Sequence, residues 1–172
     1  MRKLHVTILA ALWLASAVVT LAHAGKFGNR IHTAECWHFC IFIDRDLAVA
    51  DELLTPDFVW HYGFARILAS PGQDSVSGSE PAKVASQVFN AGLSQLKIVH
   101  NQVFAHKHFV EVRWTATGVH TGELLGYAPT GCQITLTGND LFRLREGQIA
   151  ELWQETDLLD LFTQLQQKPC SP

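Results

Sequence analysis

The second half of the chain alternates between apolar and polar residues with a period of two, and this pattern restricts the fold more than any other feature. The alternation covers residues 97–105, 109–120, 133–145 and 148–156, with tight turns at His106-Lys107-His108 and Glu146-Gly147. Period-two alternation is typical of half-buried strands, and short turns join antiparallel strands. The pattern therefore predicts two β-hairpins whose strands each direct one face to a core.

The first half carries helical signals instead. Residues 30–43 become apolar on nearly all sides toward their end, which is typical of a buried helix. Asp46 is predicted to cap a short second helix that ends at Thr55-Pro56, and Ser79 to cap a third helix with Pro81 in its first turn. Residues 58–61 are predicted as a strand and residues 62–78 as a long loop.

Asp157 is predicted to cap a last helix over residues 158–166. The order of elements is then helix, helix, strand, helix, four antiparallel strands and a closing helix. This order indicates an α+β domain with its helices on one face of a curved antiparallel sheet.

The first 24 residues have the pattern of an export signal. Arg2 and Lys3 precede an apolar run over residues 6–21, which ends in Ala22-His23-Ala24. This pattern predicts a cleaved signal peptide over residues 1–24, a single domain over residues 25–172 and a secreted or periplasmic protein that does not stay in the membrane. Loss of Arg2 and Lys3 with this segment changes the formal net charge from −3 to −5, which argues against nucleic acid as a partner.

The chain has four cysteines, all after the predicted signal peptide. An exported protein permits disulfides, and four cysteines allow three pairings. Among these pairings, we expect a disulfide that ties Cys170 to a cysteine of the first helix. Buried free thiols and a metal site of His32, Cys36 and Cys40 are the alternatives, although no second ligand cluster with zinc-like spacing accompanies these residues.

Alternation also predicts which polar side chains share a face with the core. Asp140 has the same parity as Leu136 and Phe142, which places a carboxyl group among apolar side chains. A carboxyl group in such surroundings is typical of proton-transfer chemistry. The alternative is a structural salt bridge of Asp140 with Arg113 or Arg143 on the outer face.

A long motif lies between and within the two hairpins. It consists of residues 120–131, His-Thr-Gly-Glu-Leu-Leu-Gly-Tyr-Ala-Pro-Thr-Gly, and residues 147–153, Gly-Gln-Ile-Ala-Glu-Leu-Trp. The motif resembles the SnoaL-like polyketide cyclase and ester cyclase family of the NTF2-like superfamily, over roughly residues 35–166. The resemblance implies a cone-shaped α+β barrel, with helices on the concave side of the sheet and a ligand in its mouth.

The resemblance also implies a chemistry. Cyclases of this family close a ring by intramolecular aldol condensation without cofactor or metal, using an aspartate on the last long strand and an assisting histidine on the strand before it. In this sequence Gln154 stands at the aspartate position and Asp140 at the histidine position. An amide cannot transfer a proton at neutral pH, so the family's acid/base set is incomplete at Gln154.

We therefore expect a cofactor-independent cyclase, isomerase or hydratase that acts on a small apolar molecule. Asp140 would be the base, His61 a proton shuttle and Gln154 a hydrogen-bond donor to a developing oxyanion. The residues expected to bind substrate beside Gln154 are Trp60, Trp114 and His120. The alternatives are a small-ligand binding protein that has lost the acid/base and a dimerisation module, and the sheet of this fold is compatible with a homodimer.

Overall fold

The computed structural model describes residues 29–170, and the predicted signal peptide lies outside them. The helices are α1 (Arg30–Cys36), which continues as a π-helix (Trp37–Ile43), α2 (Val49–Leu53), α3 (Ala65–Leu68), α4 (Glu80–Gly92) and α5 (Leu158–Leu165). The strands are β1 (Leu54–Tyr62), β2 (Ser75–Ser77), β3 (Leu93–His106), β4 (Phe109–His120), β5 (Gln133–Arg145) and β6 (Gln148–Thr156). Among residues 29–170, no helix combines the length and the apolar character that crossing a membrane would require.

The six strands form one sheet in the order β2-β1-β6-β5-β4-β3. The four long strands β3 to β6 pair antiparallel with their sequence neighbours, which confirms the two predicted hairpins and the α+β class. β1 joins the sheet beside β6 in parallel, with Trp60 opposite Leu152. The sheet is therefore mixed and only partly antiparallel. β1 and β6 are far apart in sequence, so no hairpin turn fixes their relative direction.

Two boundaries differ from the prediction. The predicted loop over residues 62–78 contains α3 and β2, and β2 pairs with β1 so that Val76 lies opposite Trp60. β3 begins at Leu93 rather than at residue 97. Gln95 has a φ of 54°, which interrupts the regular strand and hides its first residues from the period-two pattern.

Two of the predicted caps are confirmed. Asp157 accepts a hydrogen bond from the Asp160 amide at 3.0 Å, and Asp46 accepts one from the Val49 amide at 3.3 Å. Ser79 precedes α4 as predicted, but its side chain makes no capping bond. Its hydroxyl donates instead to Asp51 at 2.5 Å, because the carboxylate of α2 lies beside the start of α4.

The core lies between the helices and one face of the sheet. Its largest fully buried side chains include Trp37 from the π-helix, Trp60 and Phe58 from β1, and Phe142 from β5. α4 satisfies two carbonyls of the π-helix: the Ser86 hydroxyl donates to one and the Asn90 amide group to the other. These bonds fix the π-helix against α4, since a buried carbonyl needs a donor.

All four cysteines form disulfides, Cys36–Cys40 and Cys132–Cys170. The expected bridge from Cys170 to the first helix is therefore wrong. The last residues run instead along the loop before β5, where the Cys170 amide donates to the Thr130 carbonyl at 2.9 Å. Because Cys36 and Cys40 are paired, they offer no free thiolate for the alternative metal site with His32.

The Cys36–Cys40 disulfide matches the π-helical turn that it spans. Its two Cα atoms are 4.7 Å apart, whereas residues four apart in a regular α-helix are separated by about 6 Å. Cys36 is the last residue of α1 and Cys40 lies in the π-helix, so the bridge crosses the junction between the two helical segments. The turn that this disulfide spans carries Trp37 and His38.

We predict that Cys170→Ser lowers the free energy of unfolding by about 2–4 kcal/mol, because the lost disulfide spans 38 residues and restricts the unfolded chain. Cys170 is exposed, so the substitution itself changes little packing. Urea unfolding measures the effect, with Lys168→Ser, an exposed neighbour, as the control. Equal stability of the two variants would contradict the prediction.

Candidate active site

The centre of the candidate site is the carboxyl group of Asp140, which is completely buried. Its Oδ1 accepts a hydrogen bond from Trp114 Nε1 at 2.9 Å and one from Gln154 Nε2 at 3.2 Å. The other oxygen, Oδ2, lies 3.2 Å from His38 Nε2. Three elements, β4, β6 and the π-helix, therefore surround one buried carboxyl group with nitrogen atoms.

The strand register brings two of these groups together. Asp140 on β5 lies directly opposite Gln154 on β6, so the two side chains share the inner face. Trp114 on β4 lies opposite Gly138, two residues from Asp140 on the same face. A Cβ atom at Gly138 would overlap the Trp114 ring, so the glycine leaves the room that the indole occupies.

The structure thus confirms that Asp140 lies on the apolar face. The alternative salt bridge is not formed by Arg143, whose guanidinium pairs with Glu151 at 2.7 Å on the other side of the sheet. Side-chain parity explains the difference, since neighbouring residues of a strand point to opposite faces.

Gln154 bridges the carboxyl group and the backbone. Its Nε2 donates to Asp140, while its Oε1 accepts a hydrogen bond from the Phe64 amide at 3.2 Å. Gly63 makes this arrangement possible, because a Cβ there would lie 2.6 Å from Gln154 Oε1 and its φ of +46° disfavours other residues. The amide orientation of Gln154 is therefore fixed from both ends.

His38 is the main site residue that the sequence interpretation missed. It is buried, and its Nδ1 lies 3.1 Å from Nε2 of His100 on β3. The available signal was a single histidine among the apolar residues 37–43, together with the parity of His100, which follows Leu96 and Ile98 along β3. Neither signal shows that the two residues meet at Asp140.

Burial lowers the pKa of His100 to about 4, and the nearby His38 ring acts in the same direction as the second cause. The Asp140 carboxylate acts against this shift without cancelling it. His100 is therefore neutral near pH 7. Its Nδ1 lies 3.9 Å from Oε1 of Glu35 on α1.

A small apolar cavity that is partly open to solvent lies beside this cluster. Its wall consists mainly of aromatic and aliphatic side chains, with His38 and Gln154 as polar members. The aromatic members are Trp37, Phe42, Trp60, Phe64, Phe89 and Trp114. A cavity of this composition suits a small apolar molecule that carries few polar groups.

Asp140 is not itself part of the cavity wall. It lies behind Trp114, Gln154 and His38, all of which contact it and line the cavity. A ligand in the cavity therefore meets His38 and Gln154 first. Trp60 also lines this wall, and its buried Nε1 has no hydrogen-bond partner among the described residues.

The structure brings together some of the predicted site residues. Trp60, Trp114 and Gln154 line the cavity, with Asp140 directly behind them. His61 and His120 do not. The His61 ring stacks on Trp153 on the outer face, with ring centres 5.4 Å apart, because it follows the inward-facing Trp60 by one residue.

His120 lies at the far end of β4, where its Nδ1 is 3.2 Å from the Thr130 hydroxyl. It is completely buried there and is not part of the cavity wall. Between residues 29 and 170, no three His, Cys, Asp or Glu side chains are arranged to hold a metal ion.

Comparison with known proteins gives a consistent result. The family model for SnoaL-like polyketide cyclases matches residues 33–165. No curated protein matches the chain.

Solved structures extend the comparison. A candidate SnoaL-like polyketide cyclase from Jannaschia sp. CCS1 is 26% identical with a TM-score of 0.65, covering 81% of this chain and 92% of that one. TsrD from Streptomyces laurentii is 21% identical with a TM-score of 0.64, covering 78% and 92%. AclR, a candidate hydroxylase from Streptomyces galilaeus, is 20% identical with a TM-score of 0.66, covering 85% and 86%.

We predict that Trp114→Phe lowers the free energy of unfolding by about 1–3 kcal/mol, because it removes a donor to a buried carboxyl oxygen. Trp153→Phe is the matched control, since Trp153 is half-buried on the outer face, and it should cost about 1 kcal/mol or less. Urea unfolding compares the two variants. A loss at Trp114 no larger than that at Trp153 would show that the indole bond contributes nothing.

A second prediction concerns pH. Because the pKa of His100 is about 4 in the folded protein and near 6.5 in the unfolded chain, the unfolded state binds more protons between these values. The free energy of unfolding should therefore fall as pH drops from 6.5 to 4, by up to about 1.4 kcal/mol per pH unit from this group. Urea unfolding at several pH values measures this decrease in the free energy of unfolding.

The contribution of His100 to this pH dependence is measured as a difference between two slopes. The slope of the free energy of unfolding against pH is compared between the wild type and His100→Gln over that pH range. His106→Gln, an exposed histidine at the end of the same strand, is the control and should retain the wild-type slope. Identical slopes for all three proteins would exclude a lowered pKa at His100.

Proposed function

Since the chain belongs to the SnoaL-like polyketide cyclase family, we propose that it is a cofactor-independent enzyme that moves a proton on a small apolar carbonyl compound. The observation that carries the proposal is the buried Asp140 carboxyl group 3.2 Å from His38, a residue of the apolar cavity wall. An ionisable pair beside an apolar cavity is the arrangement that general acid/base catalysis requires.

His38 is the proposed acid/base, because it lines the cavity and Asp140 does not. In the forward step the His38 ring turns its Nε2 from Asp140 toward the cavity, takes a proton from a carbon next to the ligand carbonyl and becomes positively charged. The electron pair of the broken carbon–hydrogen bond moves onto the carbonyl oxygen as an enolate. Asp140 stabilises the resulting imidazolium, a role that its distance of 3.2 Å permits.

Two groups are proposed to hold the enolate oxygen. Trp60 Nε1 is a buried donor with no partner among the described residues, and Gln154 Nε2 has a second hydrogen besides the one donated to Asp140. Preorganised donors at a developing oxyanion stabilise it without reorganisation. Gln154 then supports the reaction as a donor while the proton moves through His38, and neither His61 nor His120 takes part.

Export of the protein is part of the proposal. The two disulfides are compatible with an oxidising compartment, where such bonds persist. The signal pattern of residues 1–24 supports the same localisation.

A small-ligand binding protein is the second candidate. One observation favours it: Asp140 is covered by three side chains, and an amide, Gln154, stands between the carboxyl group and the cavity. In that case the same cavity would bind an apolar molecule, and the buried cluster would serve stability alone.

The test is exchange of α-hydrogen for deuterium in 2-tetralone, an apolar ketone, followed by NMR in D₂O. Tryptophan fluorescence first measures binding to the cavity. We expect the wild type to accelerate exchange, and His38→Gln and Asp140→Asn to reduce the rate by about 100-fold or more while binding is retained. His106→Gln is the control and should keep the wild-type rate.

The outcomes separate the two candidates. Binding without accelerated exchange in the wild type supports the binding protein. Full activity in a folded His38→Gln variant, checked by near-UV circular dichroism, would contradict the assignment of His38.

A further inference from the structure

We propose that His38, His100 and Glu35 form a proton relay that connects the buried Asp140 with solvent. The inference rests on the proposed function, since it supplies the path by which the His38–Asp140 pair exchanges protons with water. His100 and Glu35 are not part of the cavity wall, so the path beyond His38 does not run through the cavity.

The geometry forms a continuous series from buried to exposed. Asp140 Oδ2 lies 3.2 Å from His38 Nε2, and His38 Nδ1 lies 3.1 Å from His100 Nε2. His100 Nδ1 lies 3.9 Å from Glu35 Oε1. The side chains are 0%, 4%, 7% and 35% exposed in this order, so only the last member reaches solvent freely.

The other two groups that contact Asp140 cannot carry a proton away from it. Trp114 contacts it through an indole N–H, which is a donor without an accepting lone pair, and Gln154 contacts it through an amide N–H. His38 is the one neighbour of the three that both accepts and donates. A proton that leaves the completely buried Asp140 without opening the core therefore passes through His38.

The transfer balances without any further reactant. A proton on Asp140 moves to His38 Nε2, and the proton on His38 Nδ1 moves to His100 Nε2. The proton on His100 Nδ1 then passes to Glu35 or to water next to it. One proton is delivered to solvent, each ring remains neutral with its tautomer exchanged, and the reverse sequence restores the starting state.

His100 has the properties that such a step needs. A neutral imidazole has one accepting and one donating nitrogen, whereas an imidazolium has only donors. The pKa of about 4 keeps His100 neutral near pH 7. The surroundings of this ring thus preserve the form that can relay a proton.

A purely structural role leaves two nitrogens of this series unexplained. His38 Nε2 and His100 Nδ1 are both buried and make no hydrogen bond among the described residues, although Asp140 Oδ2 lies 3.2 Å and Glu35 Oε1 3.9 Å away. An unpaired buried nitrogen costs stability. A relay accounts for it, because small movements of the half-exposed Glu35 side chain, or one water, complete the path at His100 Nδ1.

The experiment measures how fast the His38 imidazole N–H exchanges with water, by ¹⁵N NMR of the full chain without ligand. The variants are His100→Leu, which cannot relay a proton, and His100→Gln, which keeps a polar contact with His38 and tests the proposal if the leucine variant does not fold. His106→Gln, an exposed histidine on the same strand, is the matched control. Glu35→Gln tests the outer end.

We expect exchange at His38 to slow at least tenfold in both His100 variants, to slow less in Glu35→Gln, and to stay unchanged in His106→Gln. A merely structural hydrogen bond predicts the opposite direction, since loss of a partner frees the N–H and speeds its exchange. Unchanged or faster exchange in the His100 variants overturns the relay.

The outcome is separate from that of the proposed function. If N–H exchange is slower in the variants but the wild type does not exchange the α-hydrogens of 2-tetralone, the proposed enzymatic function is rejected and the proton relay is retained. Active wild type with unchanged N–H exchange in the variants rejects the relay alone. In an active enzyme, added imidazole buffer should restore the turnover of His100→Gln and leave that of the wild type unchanged.

Discussion

The burial of one carboxyl group, that of Asp140, is the constraint on which the rest of this site depends. A carboxyl group without any exposure destabilises a fold unless nearby groups pair with it. Here β4 supplies an indole N–H, β6 an amide N–H and the π-helix an imidazole nitrogen. Two strands and a helix must therefore meet at one point, and that point forms the back wall of the cavity.

The π-helix and its surroundings determine how His38 reaches that point. The turn is held by the Cys36–Cys40 disulfide and by two bonds from α4 to its carbonyls. π-helical turns are frequent at functional sites because the wider turn shifts the direction of its side chains. In this protein the shifted residue is the one that lies between the buried carboxyl group and the apolar cavity.

The division of roles at the cavity differs from the one that the resemblance implied. The resemblance places Gln154 at the family's aspartate position, and in the structure this amide orients a carboxyl group and can donate to an oxygen. Asp140, which the resemblance places at the position of the assisting histidine, is completely buried behind the cavity wall. In the proposed mechanism the acid/base is instead a histidine on a different element, and a fold and a family do not fix the identity of each catalytic group.

Local patterns in the sequence were enough to predict the two hairpins, the caps at Asp46 and Asp157 and the inward face of Asp140. These features follow from local rules, since alternation and capping depend on residues within one element. Three features could be read only from the folded chain: β1 runs parallel to β6, Cys170 pairs with Cys132, and His38 and His100 meet beside Asp140. Each of these features depends on which segments, distant in sequence, come into contact in the fold. Neither the periodicity nor the spacing of residues specifies those contacts. His61 is the clearest example of a prediction that failed. It follows Trp60 of the cavity wall by one residue along β1, and this shift of one residue directs its side chain to the outer face.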